Sequence, residues 1–488
     1  MNIGIRRVGA AMMILFLGLV AQLTYLQVVD SSHLQNDPRN VRKFLQVISR
    51  PRGEIVTSEG LVLAKSVPVN DEFKYQRVYT PGTAKLFAQV VGFQSIQFGS
   101  VGVEAKYSSE LAGRNLGSLP RQLSQGLSAR QQTGTVVLSM SAKAQLAAAG
   151  GLADRRGSVV VLDVKTGGVV AMYSNPTFDP TPLASHDSKK AQAARQFLLA
   201  LPDNPMLARA WRELYPPGST FKTVTASTAL SDNVDVNKRF PFLTELPLPL
   251  TTSALKNFGG ERCGGSLEEG FVQSCNTTFG QIGLDLGEQL ATGVQRFGVN
   301  TNAPPSDLDP NVVRSLGPAP GSFHANQPLF AQAAIGQGPV AVTPLEMALV
   351  AESVATGGVI LQPHVAARIE DADGTTVRTI GSKQWRRAMD PVTAATMKQF
   401  MLQVVQRGTG TAAQIPGVEV AGKTGTAETA PGAKPHAWFI AFAPADHPRY
   451  AISVIVEHGG TDGANAEVTG GRVAAPIAAS VLRVLLGT

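Results

Sequence analysis

Three short runs hold residue types that could carry out acyl transfer: Ser219-Thr220-Phe221-Lys222, Ser274-Cys275-Asn276 and Lys423-Thr424-Gly425-Thr426. A serine hydroxyl is a poor nucleophile until a base takes its proton. A lysine amine is such a base only where burial or a neighbouring cation disfavours its charged form. Residues three apart share a helix face, so Lys222 can swing back toward the Ser219 hydroxyl, and Phe221 and Val224 predict its partial burial. On spacing alone the run also describes an N-cap serine on an ordinary amphipathic helix, and Ser253 to Lys256 repeats it. Ser231-Asp232-Asn233 and Lys165-Thr166-Gly167 repeat the other two patterns. Geometry sets both aside: Ser231 falls about 18 Å along the helix axis from Ser219, and Lys165 lies on a hairpin turn ahead of the nucleophile.

The elements that must position these runs follow from turn and periodicity signals. Tyr215-Pro216-Pro217-Gly218 cannot continue a helix, while Ser219 onward starts one, predicting an extended approach, a tight entry and a helix to Leu230. Upstream, Gly134–Ser139 reads as a strand and Ser141–Leu152 as a helix. Ser158–Val164 and Gly168–Ser174 read as a hairpin, and 175–209 as irregular. Downstream come a proline-rich extended stretch (Phe240–Leu250), a capping box at Ser266–Glu269, and helices at Phe279–Leu290 and Glu346–Ala355. Strands at Val418–Ala421 with Lys423–Ala427, Trp438–Ala443 and Tyr450–Glu457 precede a terminal helix, Val473–Leu486. An early hairpin, a helical middle and a late meander predict an α+β fold, one mixed sheet assembled from both ends with the serine helix at its edge. Glu288, Glu346 and Glu352 read as solvated helix faces, leaving no base positioned for water.

The 488 residues, 43% hydrophobic and 16% charged, can bury a sizeable core. The net charge of +7 is mild and suits an anionic membrane surface or cell-wall polymer; no basic helix interleaved with aromatics points to nucleic acid. Val8–Ala21 is an apolar run that, extended to Val29, just spans a hydrocarbon core of about 30 Å. Arg6 and Arg7 before it and Asp30 after it predict an uncleaved anchor with a cytoplasmic amino end, followed by a polar tether, Ser31–Arg42. The boundaries expected are 1–30 for tip and anchor, 31–133 for a mostly β spacer or docking domain, and 134–488 for the second domain. Cys263 and Cys275 leave two readings open, buried thiols or a disulfide. In the chain-entropy model such a short loop closure would stabilise by about 3 kcal/mol. No ligand spacing suggests a metal, and no cofactor is expected.

Taken together in this order, the three runs resemble those of the penicillin-binding proteins. Val169–Asp179 with Pro180, Ser274–Phe279 and Gly336–Leu345 also resemble that family's transpeptidase domain. Arg52-Gly53-Glu54-Ile55 and Gly102-Val103-Glu104 resemble the amino-terminal pedestal of its class B members, with Thr57-Ser58-Glu59 a departure confined to the pedestal. The resemblance implies a penicillin-binding-protein or serine β-lactamase-like transpeptidase domain on that pedestal. It implies catalytic roles for Ser219, Lys222, Ser274 and Lys423, and substrate binding by Asn276, Thr424, Gly425 and Thr426. Gly425 is expected to let substrate backbone lie close along its strand. The implied activity is peptidoglycan D,D-transpeptidation at the plasma membrane, with stem peptides as substrates and β-lactams as acylating inhibitors. A SEDS-family glycan polymerase and division proteins are the implied partners. D,D-carboxypeptidase and β-lactam-hydrolysing or sensing activities share the motifs and stay open, as does an inactive scaffold.

Overall fold

The computed structural model describes residues 2–25, 49–113, 133–232, 234–235, 237–430, 432–459 and 469–488. The expected tether Ser31–Arg42, and Asn233 of the repeated Ser-Asp-Asn triplet, lie outside the described residues. The amino-terminal helix, Asn2–Thr24, includes a 19-residue stretch, Arg6–Thr24, of mean hydropathy 1.7, long and apolar enough to cross a membrane.

Five antiparallel strands form the sheet that positions the site. Their spatial order is Ala421–Ala427, His436–Ala443, Tyr450–Val456, Gly157–Asp163 and Val169–Asn175. The late meander joins the early hairpin through Tyr450–Val456, where Val454 faces Val159 and Ser453 faces Val160. Every residue of His436–Ala443 is buried, as expected for a strand covered on both faces. Alternate residues serve two cores. Val159, Val161, Phe439, Ala441 and Val454 pack with the helices Ala142–Leu152 and Gly470–Leu486. Val160, Leu162, Ile440, Phe442 and Ile455 pack on the other side with Pro344–Ala355 and the serine helix, Lys222–Ser231.

A second sheet of six strands contains Ile55–Val56, Val62–Pro68 and Tyr75–Tyr79 from the early chain. It also takes Thr135–Leu138, which runs parallel to Ile55–Val56, and Ala366–Glu370 with Thr376–Thr379 from the middle of the later chain. The two pedestal runs meet in a buried cluster: Glu104 accepts from Arg52 Nε at 3.2 Å and from Arg77 Nε at 2.5 Å. Opposite charge offsets the desolvation of each member.

Three expectations are corrected. Residues 188–200, expected to be irregular, form the helix Ser188–Ala200, capped by the Asp187 carboxylate, which accepts from Lys189 N and Lys190 N. Its Ala, Lys, Gln, Arg and Leu content favours helix, but only Ala191 is buried, so no apolar stripe reveals it. Glu346 and Glu352 do not face solvent: the helix Pro344–Ala355 is buried nearly all round, and these side chains are 2% and 0% exposed. Glu288 is half-buried and accepts from Gly321 N and Phe323 N, both at 2.7 Å.

Candidate active site

Ser219 lies in a 3-10 turn, Gly218–Phe221, that runs directly into the helix Lys222–Ser231. This turn packs on the edge strand Ala421–Ala427. Gly218 has φ +53, and a Cβ there would lie 2.6 Å from Thr426 O, so both its conformation and its space demand glycine. Gly425 answers it from the strand. A Cβ on Gly425 would meet Pro217 O at 2.8 Å and Thr220 Cγ2 at 2.9 Å. The bare face of Gly425 thus admits the serine turn.

Ser274 supplies the third side. It joins the helix Leu267–Val272, opened by the expected capping box at Ser266 and Glu269, to the helix Asn276–Leu286. Its φ of +64 is costly for a residue with a Cβ and persists only where the surroundings hold it. A disulfide between Cys275 and Cys263 ties this corner to the strand Cys263–Ser266.

The corner gathers both lysines. Lys423 Nζ donates to Ser274 Oγ at 2.9 Å and to Thr424 O at 3.1 Å. Lys222 Nζ donates to Ser274 O at 2.6 Å and to Asn276 Oδ1 at 2.8 Å, and lies 3.4 Å from Ser274 Oγ. Phe279 and Phe271 wall the two amines, each ring centroid 5.5 Å from its nitrogen. Both lysine side chains are 0% exposed. Burial, and secondarily the charge of Lys423, pushes the Lys222 amine well below its ordinary value. Burial alone brings Lys423 down to about 7.

Among the described residues the half-buried Ser219 hydroxyl has no hydrogen-bond partner. The expected reach of Lys222 back to Ser219 is replaced by its bonds to Ser274 and Asn276, because a fully buried amine turns to the acceptors that surround it. Asn276 is engaged at both ends, its Nδ2 donating to Lys256 O at 2.9 Å. Thr426 is half-buried, whereas Thr424 is buried with its hydroxyl 2.6 Å from that of Thr409. Of the repeated patterns, Lys165 is exposed on the turn after Asp163 and Ser231 ends the serine helix, whereas Lys256, on the short strand Ala254–Lys256, touches the cluster through its backbone carbonyl.

Sequence reasoning missed two groups. Thr409 sits between two glycines shortly before the lysine strand, a signal that could have marked a constrained polar side chain. Glu457, the acid closing the apolar strand Tyr450–Val456, accepts from Tyr215 of the serine approach at 2.7 Å and from Arg209 Nε at 2.8 Å.

A serine at the entry to a helix and packed on the edge of a five-stranded antiparallel sheet, together with a second serine shared by two buried lysines, defines a penicillin-interacting serine acyl-transferase fold. The chain belongs to the penicillin-binding proteins: residues 157–483 match the penicillin binding protein transpeptidase domain, and 52–137 the penicillin binding protein A dimerisation domain. It is 38% identical to the peptidoglycan D,D-transpeptidase PbpA of Mycolicibacterium smegmatis, over all of this chain and 99% of that protein. It is 36% identical to PbpA of Mycobacterium tuberculosis over the same shares. Among solved structures, the ceftriaxone acyl-enzyme complex of penicillin-binding protein A from M. tuberculosis matches with a TM-score of 0.83 at 34% identity, covering 91% of this chain and all of that one. The penicillin G acyl-enzyme complex matches at 0.81, covering 90% of this chain. The apolar amino-terminal helix, the modest length and the cysteine inside Ser274-Cys275-Asn276 are the sequence features that carry the likeness to this A type.

Proposed function

We propose that this protein is a class B peptidoglycan D,D-transpeptidase that cross-links stem peptides and is acylated by β-lactams. The reading is supported above all by one observation: the Ser274 hydroxyl is bonded to Lys423 and lies beside Lys222, one helical turn from Ser219. In the proposed reaction Ser219 Oγ attacks the carbonyl of the D-Ala-D-Ala bond as Lys222 accepts its proton. With two hydrogens directed to Ser274 O and Asn276 Oδ1, a neutral Lys222 amine retains one lone pair for that proton. Ser274 relays the proton to the departing amine, and D-Ala leaves. An amine of a second stem peptide then attacks the Ser219 ester, forming the cross-link and restoring the hydroxyl. The backbone N–H groups of Ser219 and Thr426, at a helix start and on the adjoining strand, are assigned to the developing oxyanion. Lys423 and the Thr424 and Thr426 hydroxyls are assigned to the terminal carboxylate, and the remaining N–H of Asn276 to a substrate amide.

We assign residues 1–30 to a single-pass anchor with a cytoplasmic amino end, 31–133 to the pedestal and 134–488 to the extracytoplasmic catalytic domain. Docking of a SEDS-family glycan polymerase or division proteins on the pedestal rests on the family resemblance. A hydrolase would need a base for water. The burial of Glu346 and Glu352, and the backbone bonds of Glu288, speak against these three carboxylates in that role.

Mass spectrometry after incubation with benzylpenicillin tests the assignment. A stable adduct on Ser219, absent in Ser219→Ala, is expected, and a stem-peptide substrate with an added acceptor amine should yield the cross-linked dimer. Capture undiminished in Ser219→Ala would overturn the nucleophile; release as the free acid alone would mark a carboxypeptidase.

A further inference from the structure

We infer that Thr409 is a positioning residue of the substrate carboxylate site, acting through Thr424; the inference rests on the proposed role of Thr424 as a carboxylate ligand. Thr409 lies between the helix Pro391–Arg407 and the strand Ala421–Ala427. Its Oγ1 is 2.6 Å from Thr424 Oγ1, and either atom can be the donor. Among the described residues neither hydroxyl has another hydrogen-bond partner.

That pairing has a polarity consequence. Each hydroxyl carries one hydrogen, and a carboxylate only accepts. If Thr424 donated to Thr409, its oxygen would present only lone pairs to an incoming anion. If Thr409 donates to Thr424, the Thr424 hydrogen is free to point at the carboxylate, and the chain of donors is polarised in the sense that strengthens both bonds. Binding of an anion therefore selects the second arrangement.

The backbone holds Thr409 for this task. A Cβ on Gly471, in the first turn of the terminal helix Gly470–Leu486, would lie 2.3 Å from Thr409 O and 3.6 Å from Thr424 Cγ2, so that turn packs closely over both threonines. On the other side a Cβ on Gly408 would lie 2.8 Å from Val272 O. The Thr409 side chain itself is exposed, so replacing it disturbs little packing. It is one hydrogen bond away from the proposed substrate contact without being a catalytic group.

The test compares acylation of the full chain by benzylpenicillin and by its methyl ester, whose carboxylate is masked, in Thr409→Val, Thr409→Ser and Thr424→Val. Loss of the orienting bond should lower the acid-to-ester ratio of acylation rate constants about tenfold in T409V. T409S, which keeps the hydroxyl, should restore the ratio. A T409V ratio equal to wild type, with T424V impaired toward the acid, would overturn the inference. Equal slowing of acid and ester in T409V would also overturn it, marking a merely structural role. A T424V ratio equal to wild type would instead remove the proposed carboxylate role of Thr424, on which the inference stands.

Discussion

Lys222 and Lys423 meet at one hydroxyl, and how their charges are set decides what the site can do. Burial is the larger cause of the low Lys222 affinity for protons, and the charge of Lys423 the smaller. The sign follows: protonated Lys222 cannot take the Ser219 proton, so acylation rises with pH through the depressed Lys222 value. Removing the Lys423 charge relieves only the smaller cause. In Lys423→Met the rising limb of the pH profile for β-lactam acylation should therefore move to higher pH, yet stay below the range of an exposed lysine. A limb that stays fixed or moves down would show that Lys423 does not act on Lys222 through charge. At this scale the sequence was informative about which residues matter, since a serine, a lysine and their spacing announce a reaction type. It was uninformative about which partner each chooses. Spacing shows that Ser219 and Lys222 share a face, but the acceptors that turn Lys222 toward Ser274 and Asn276 come from a segment about 50 residues later.

Elements bring those residues together, and the approach to the serine turn is held from below by one carboxylate. Burial alone would raise the Glu457 carboxyl; the Tyr215 hydroxyl and the Arg209 and Arg156 guanidiniums overcome that and hold it below the usual range. Arg209 Nε and Tyr215 Oη both donate to Oε1, and Arg156 Nη2 lies 2.6 Å from Oε2. Trp438 Nε1 donates to Pro216 O at 3.0 Å, so the strand His436–Ala443 pins the next residue of the same approach. Glu457→Ala leaves Arg209, 3% exposed, without its carboxylate, and should destabilise by about 3–5 kcal/mol. Tyr215→Phe removes one charge-assisted bond and should cost about 2 kcal/mol. Because Tyr215 acts through Glu457, the double variant should be close to E457A alone in urea unfolding; full additivity would show the two to be independent. This network was not legible. Strands, the hairpin and the serine helix follow from local pattern, whereas Arg209, Tyr215 and Glu457 are joined across more than 240 residues by pairings that no local signal encodes. The helix Pro391–Arg407 differs, since Asp390 at the cap and proline in the first turn signal its start locally.

For the molecule as a whole, the helix Pro344–Ala355 links catalytic conditions to stability. Its sequence predicts a helix with a solvated face, because two glutamates in an apolar sequence normally mark a water-facing side. Both carboxyls are instead in the core. Burial pushes Glu352 up to about 8, with the Leu361 N–H offsetting part of that. Burial pushes Glu346 up to about 8 as well, offset in part by Arg386 and Ser315. A carboxyl whose folded value is raised binds protons more tightly when folded. Stability is therefore unaffected below the unfolded value near 4.5, falls as pH rises toward 8, and levels off beyond. The reacting site asks for the opposite, since a neutral Lys222 is favoured as pH rises. Glu352→Gln keeps an oxygen for the Leu361 N–H and removes the titration. It should match wild type near pH 4 and exceed it at pH 7 by on the order of 3 kcal/mol. Urea midpoints at the two pH values separate the outcomes: curves that stay parallel would mean Glu352 is ionised in the folded protein, and that the core holds its charge by a route other than protonation.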